Sequence, residues 1–393
     1  MNAHRSIKIE SRNKLGGQMT TGLAAIYVEP YKFDLQELPV PEVEPGGLLV
    51  KITAAGICGS DLHFYRGHLK PGNWTGDPLN RPTIIGHEMT GIVAKLGAEV
   101  KTDSLGRELK EGDRVAYTYF FPCLKCYNCL RGQLNTCPNR TRIRKPVEES
   151  PICSGGFAEY FYLPRGHFVF KVPNELSDAE VAPVNCAVSQ VIFGLNKANI
   201  RLGDTVVIQG AGGLGINAAS AAKEMGASKV IILDGSRNRL DLALECGADE
   251  VIDITEYNTP ESRIARVKEL SEGRGGDIVM ELVGLPDAFT EGLELTRLGG
   301  TLVEIGNMWK GGKTSIDVAT TVWGNTTVIG IAHYDPYTLP VAMDFLVNTQ
   351  DKYALPKLMS HSFPLSEINT AFAEAEWSGK QDGTQITRAY LRP

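Results

Sequence analysis

DTVVIQGAGGLGINAASAAKEMGASKVIILD, residues 204–234, carries two strand-like runs with a glycine-rich turn and a helix between them. It opens on DTVVIQ, a β-branched, apolar run that reads as a parallel strand buried on both faces. GAGGLG follows, with Gly210, Gly212 and Gly215 spaced as a dinucleotide fingerprint. The alanine-rich LGINAASAAKEM has helical character, and KVIILD is a second strand ending in Asp234. A glycine triplet alone says little, but between a strand and a helix of a βαβ unit it predicts a nucleotide-binding turn. Gly210 permits the turn, Gly212 lets a pyrophosphate approach the backbone and Gly215 lets helix pack on strand; Gly213 and Leu214 complete the loop. The helix N-terminus offers N–H groups and positive potential to phosphates. A carboxylate at Asp234 accepts hydrogen bonds from ribose hydroxyls and repels a 2′-phosphate, so NAD is expected rather than NADP. Ser236, Arg237 and Arg239 lie close behind and soften that preference.

The alternation continues outward. EVIDI (250–254), DIVMEL (277–282), GTLVEIG (300–306) and TTVIGI (326–331) read as strands, with RIARVKELS (263–271) and PDAFTEGLELTR (286–297) as intervening helices. Six strands joined by crossovers predict an α/β, doubly wound parallel sheet. Upstream, LLVKITAAGI, GIVAKLG, DRVAYTYF and AEYFYLP are short β-rich runs broken by glycine and proline. They predict a mostly β, partly barrel-like domain. Near the end, FPLSEINTAFAEAEWSG and TRAYLRP read as a helix and a last strand that return to that first domain. The expected organisation is a catalytic domain made of residues 1–187 and 337–393, with a dinucleotide-binding domain, 188–336, between them.

The bulk properties agree with a folded two-domain protein: 393 residues, 42% hydrophobic and 22% charged. A net charge of −6 argues against nucleic acid or an anionic membrane as the main partner. The opening MNAHRSIKIESRNKLGGQMTTG has no apolar run, and no stretch of about 18 apolar residues occurs. A cytoplasmic location follows, where thiols stay reduced and clustered cysteines more often hold metal than form disulfides.

Cysteines are clustered. CLKCYNCLRGQLNTC, 123–137, holds four of the eight: Cys123, Cys126, Cys129 and Cys137. Their spacing lets a tight loop wrap one ion, and Zn²⁺ accepts four thiolates at about 2.3 Å, leaving no open position for chemistry. Four merely buried cysteines or a nucleic-acid zinc ribbon are the alternatives. The ribbon is disfavoured because no dense basic and aromatic face surrounds it; the basic run 140–145 gives way at once to PVEES and reads as a solvated loop. A second set comes from remote segments, GICGSDLH (56–63), GHEMTG (86–91) and VNCAVSQ (184–190). Cys58, His87 and Cys186 taken singly read as packing residues. Jointly they form the Cys₂His set that leaves a fourth zinc position open, where the ion acts as a Lewis acid on a hydroxyl. Glu88 reads as a catalytic-site carboxylate that supports the metal or ligates it transiently, and Asp61 is a candidate to accept the other ring N–H of His87; an ordinary surface carboxylate is the alternative for both.

Together these motifs resemble the zinc-containing medium-chain alcohol dehydrogenase family, in the family's order, from about residue 22 to the end. The resemblance implies a Rossmann sheet with a GroES-like catalytic domain, two zinc ions per chain and hydride transfer between a primary or secondary alcohol and NAD. By resemblance Cys58, His87 and Cys186 hold the catalytic zinc and the four-cysteine lobe the structural one. Where sorbitol dehydrogenases often have glutamate as the last ligand, this chain has Cys186. Ser60 and His63 match the family's proton relay, in which a hydroxyl and then an imidazole carry the substrate's proton to solvent. Tyr119 matches an aromatic pocket wall. Asn307 falls where many relatives have an aliphatic pocket residue, and serves either a polar substrate or its own loop. Family habit implies a homodimer or homotetramer joined by edge strands near 315–331. The segments 68–81 and 139–153 depart from the compact pattern and reshape the cleft mouth; Cys153 and Cys246 match no role and read as packing cysteines. A zinc-free enone or quinone reductase and a non-enzymatic NAD-binding protein are the competing readings.

Overall fold

Six parallel strands follow one another after residue 204: β1 (Thr205–Gln209), β2 (Lys229–Asp234), β3 (Glu250–Asp253), β4 (Gly276–Glu281), β5 (Thr296–Glu304) and β6 (Thr327–Gly330). The computed structural model describes residues 20–69, 81–140, 147, 153–308, 311–376 and 387–393. The strand order is β3-β2-β1-β4-β5-β6, with parallel pairing throughout. Alternate side chains pass to opposite faces. Val206, Ile208, Val230 and Ile232 join one apolar cluster, while Val207, Ile231, Leu233 and Val279 join another. Burial on both faces is why these strands read as continuous apolar runs. The order reverses between β1 and β4, so the crevice beyond their carboxyl ends is the place for a ligand.

One boundary differs from expectation. The helix expected over 286–297 ends at Leu295, and Thr296 turns extended to open β5, pairing with Gly276 across a register shift. Propensity carries a helix through Thr296 and Arg297, but the pairing with β4 takes both residues.

The earlier part of the chain is built on antiparallel pairs. Leu48–Gly56 lies between Glu88–Leu96 and the closing strand Ala389–Arg392, and Tyr160–Leu163 also pairs with it. Arg114–Tyr117 and Val169–Lys171 extend this sheet to seven strands with His361–Pro364 at the other edge. A hairpin of Thr21–Glu29 and Lys32–Pro39, which no sequence signal announced, forms a smaller sheet with Thr83–Ile84. Phe372, on the helix Ile368–Ala375, meets Phe33 at 4.7 Å and Tyr65 at 5.2 Å between ring centres. The end of the chain is thereby fixed to its beginning. Among the described residues no helix is long and apolar enough to cross a membrane.

Four helices position the site: α1 (Gly59–Tyr65), α2 (Ala187–Lys197), α3 (Gly213–Glu224) and α4 (Arg237–Glu245). α1 follows the end of Leu48–Gly56, α2 packs on α3, and α3 starts at the glycine turn after β1.

Candidate active site and metal centres

Strand pairing brings the first ligand pair together. Gly56 stands opposite Glu88 in the antiparallel ladder, so Cys58, just past one strand, meets His87, just before the other. Cys58 is the extended N-cap of α1. Asp61, fully buried, holds both: its Oδ2 accepts from Cys58 N at 3.1 Å and its Oδ1 lies 3.5 Å from His87 Nδ1. A carboxylate on Nδ1 keeps the proton there and leaves the Nε2 lone pair for a metal. Cys186 enters from the junction between the 3₁₀ turn Ala182–Asn185 and α2, its Sγ 3.2 Å from His87 Nε2. The donor atoms of Cys58, His87, Glu88 and Cys186 all lie within 4.8 Å of one another.

The electrostatics are those of a donor set sharing protons. The hydrogen bond from Cys186, with His87 and Arg388 nearby, holds the Cys58 thiol well below its ordinary value. The same bond, with burial, pushes Cys186 well above. Burial pulls His87 down, but Asp61 and Cys58 more than offset it and hold the imidazole up at about 9. Glu88 is pushed up to about 7 by burial, against the pull of Arg388. A divalent ion held by these residues would resolve this crowding by displacing the shared protons. Two thiols, one imidazole with a fixed tautomer and a carboxylate suit Zn²⁺.

The four-cysteine lobe is equally convergent. The sulfurs of Cys123, Cys126, Cys129 and Cys137 lie within 4.8 Å of one another, with Cys126 Sγ 3.5 Å from Cys129 Sγ and 3.8 Å from Cys137 Sγ. A tetrahedron with bonds of about 2.3 Å has edges of about 3.8 Å. All eight cysteines are free thiols. Backbone hydrogen bonding from Lys125 leads the effects that lower Cys123 to about 6, while burial raises Cys129 to about 12. The lobe reaches toward the catalytic cluster through Asn135, whose N–H donates to Asp335 at 3.0 Å and whose amide donates to the His333 carbonyl at 3.5 Å.

At the glycine turn, Gly210 adopts φ +97°, and a Cβ on Gly215 would lie 1.8 Å from the Gly210 carbonyl oxygen. No side chain fits Gly215 without opening the turn. A Cβ on Gly212, the N-cap of α3, would meet nothing within 4 Å, so its approach is open. Leu214 is partly buried against the core. Asp234, at the end of β2, accepts from Ala211 N at 2.7 Å and from Ser236 N at 2.8 Å, tying the turn to the second strand. Arg237 pairs with Asp241 on the surface of α4, and Arg239 lies in the first turn of that helix, partly buried.

Arg388 is the residue that sequence reasoning missed. Inside TRAYLRP it looked like part of a strand, but its guanidinium crosses the interior. One nitrogen donates to Glu88. Its Nη1 is buried without a hydrogen-bond partner among the described residues, 2.4 Å from where a Cβ on Gly213 would stand. Glu88 and the thiolate of Cys58 more than offset the effect of burial and keep Arg388 charged. A cation with one nitrogen left without an acceptor among the described residues, beneath the first turn of a 12-residue helix, fits an anionic group at that N-terminus.

Around the cluster, the Tyr119 ring packs edge-on against His87 at 5.1 Å, and its hydroxyl lies 3.5 Å from Nδ1 of the buried His333. Phe120 stacks on His333 at 5.1 Å. His333 carried no motif in sequence. Asn307 turns to carboxylates: its amide nitrogen lies 3.3 Å from Glu281 Oε2 and 3.2 Å from Glu304 Oε1. Burial, then Glu304, pushes Glu281 up to about 8. Ser60 sits in the first turn of α1, two residues beyond Cys58, and His63 in its last turn. Burial, with Arg66 and His68 beside it, holds His63 down at about 4. Cys153 and Cys246 are buried away from both clusters. Most of the segments 68–81 and 139–153 lies outside the described residues.

The family model for the alcohol dehydrogenase GroES-like domain matches residues 44–174, and that for zinc-binding dehydrogenases matches residues 213–348. A 5-exo-hydroxycamphor dehydrogenase from Pseudomonas putida is 32% identical over 349 residues, covering 88% of this chain and 94% of that protein. A sorbitol dehydrogenase from Bombyx mori is 32% identical over 357 residues, covering 90% and 95%. The crystal structure of an alcohol dehydrogenase from Thermotoga maritima superimposes with a TM-score of 0.84 at 29% identity, covering 95% of this chain and 100% of that one. With a GroES-like domain and a six-stranded parallel sheet in one chain, and two convergent donor sets, this protein belongs to the zinc-containing medium-chain alcohol dehydrogenase family and is an oxidoreductase of the dehydrogenase type.

Proposed function

We propose that this dehydrogenase moves a hydride between a primary or secondary alcohol and NAD, with one catalytic and one structural zinc per chain. The observation that carries the proposal is the convergence of Cys58, His87 and Cys186 beside an Arg388 that links Glu88 to the glycine turn. Zinc supplies Lewis acidity that brings a ligated hydroxyl toward a neutral pKa. NAD supplies the acceptor for the carbinol hydride. The chain does the rest. Cys58, His87 and Cys186 present the donors, Asp61 fixes the imidazole, and Glu88 balances Arg388. Ser60 takes the hydroxyl proton and His63 passes it on. Tyr119 and His333 wall the reacting region, and Asn307 braces the turn after β5 through Glu281 and Glu304.

Gly210, Gly212, Gly213, Leu214 and Gly215 form the phosphate turn, with Arg388 beneath it. Asp234 takes the adenosine ribose, and Arg239 flanks it. The named substrates of the two curated relatives carry a secondary carbinol, which supports that substrate class here. Exposed apolar residues along the β6 edge and its neighbouring helix, Val318, Val322, Trp323 and Val328, support a homo-oligomer. The zinc-free reading has no use for seven convergent sulfur and imidazole donors.

Metal analysis and a screen of cyclic, aromatic and polyhydroxy alcohols with NAD and NADP, followed by nicotinamide absorbance, tests the proposal. About two zinc ions per chain and NAD-linked oxidation are expected; metal-free protein that reduces enones would overturn it. Cofactor choice is read separately with Asp234→Asn, which removes the charge and leaves one acceptor oxygen, enough for either Ala211 N or Ser236 N. Hydrogen bonds to charged groups contribute about 1.5–3 kcal/mol. The ratio of NADPH to NADH affinity should therefore rise about tenfold or more by nicotinamide fluorescence. An unchanged ratio removes Asp234 from the ribose.

A further inference from the structure

The proton relay implied by Ser60 and His63 has an unanswered end. His63 is only half-exposed, on α1, with Arg66, His68, Cys58 and Glu376 around it. Its Nδ1 lies 3.3 Å from Nδ1 of His68, and the two rings are 5.5 Å apart with planes at 37°. His68 is exposed.

This contact is built by the backbone. α1 ends at Tyr65, and Gly67 takes φ +77°, the left-handed conformation that reverses a chain after a helix. Its N–H donates to Phe64 O at 2.8 Å, and the N–H of Leu69 returns to the carbonyl of His63 itself at 3.1 Å. The Leu69 side chain is buried. The loop therefore closes on His63, anchored on both sides of His68. A side chain at residue 67 is excluded twice, by φ and by Pro30, whose Cγ would lie 2.7 Å from a Cβ. Arg66, whose charge acts on His63, is bound by both oxygens of Glu376, at 2.5 and 2.7 Å. The Nδ1–Nδ1 contact places the two imidazoles within proton-transfer distance.

We propose that His63 and His68 form a two-imidazole exit through which the hydroxyl proton of the substrate reaches solvent. The inference rests on the dehydrogenase reading above and extends its relay by one residue. His63, protonated on Nδ1, takes the incoming proton on Nε2 and releases the Nδ1 proton to Nδ1 of His68. His68, then an imidazolium, loses its Nε2 proton to water. One proton enters and one leaves, no electrons move, and exchange with water restores the starting tautomers. During carbonyl reduction the same path runs inward.

The test is proton release, followed by stopped-flow with a pH indicator when the zinc-loaded protein is mixed with NAD and an alcohol that it oxidises. A positioned acid–base group contributes about 10²–10⁴-fold. An exit residue that water partly replaces contributes less, so His68→Ala should slow release about tenfold. Added imidazole should restore the rate in His68→Ala and leave the wild type unchanged, and NADH affinity should stay the same in both. Gly67→Ala, which displaces His68 without removing it, should show the same slowing. Release at the wild-type rate in His68→Ala overturns the exit and leaves the dehydrogenase reading intact, as does a slowing that imidazole does not relieve. Absence of proton release from the wild-type protein with every alcohol overturns both.

Discussion

Replacing Cys58 by alanine should lower alcohol oxidation by about a thousandfold or more while NADH binding changes less than about threefold. The size follows from the chemistry that the donor set supports. A zinc-ligated hydroxyl ionises near neutrality, whereas free water has a pKa near 16, so losing the ion removes the means of ionising the hydroxyl at neutral pH. The site has no spare sulfur: Cys58 and Cys186 are its only thiols, and Glu88 is already engaged by Arg388. Metal analysis should show about one zinc per chain in place of two. The glycine turn proposed to hold the cofactor uses different residues, Gly210–Gly215 and Asp234, carried by β1, β2 and α3. That separation makes the outcome selective. Substantial remaining turnover, or NADH affinity lost in parallel, would remove Cys58 from the ligand set.

The second large effect concerns stability. Cys129→Ser should lower the melting temperature by about 10 °C with little change in the rate of hydride transfer. The lobe has almost no core of its own. Its helical turns, Tyr127–Leu130 and Leu134–Thr136, are far too short to persist alone, and Tyr127 and Leu130 are 73% and 77% exposed. Cys129 and Cys137 are its buried cysteines, and on the proposed reading a shared ion would close it. Structural zinc contributes several kcal/mol, and each kcal/mol shifts melting by about 2–4 °C in domains of this size. A modest rise in KM should accompany the change, because Asn135 joins the lobe to Asp335 and to the His333 backbone beside Tyr119. Calorimetry and single-turnover kinetics separate the two quantities. An unchanged melting curve would deny the lobe a structural metal.

Motif-bearing residues were legible because their chemistry is local. The glycine turn reads from 204–234 because a steric rule, the Gly215 approach to the Gly210 carbonyl, demands glycine at fixed spacing. The four-cysteine lobe reads because a tetrahedron closed within 15 residues fixes its own spacing. The parallel sheet reads because strands buried on both faces are apolar throughout. The hairpin Thr21–Glu29/Lys32–Pro39 escaped notice because its turn has no glycine-asparagine signal and places Tyr31, not glycine, at φ +64°.

Residue type and near-neighbour spacing are enough to say which atoms can bind a metal or approach a phosphate. What lies between the two sites follows from the folded chain. Arg388 stands 300 residues from Glu88 and reaches it because the last strand pairs with Leu48–Gly56. Tyr119 meets His333 across 214 residues, and His68 meets His63 through a turn whose direction Gly67 sets. These contacts are made by chain closure and strand pairing over long separations, which no local pattern records, because a side chain's partner depends on where the backbone returns.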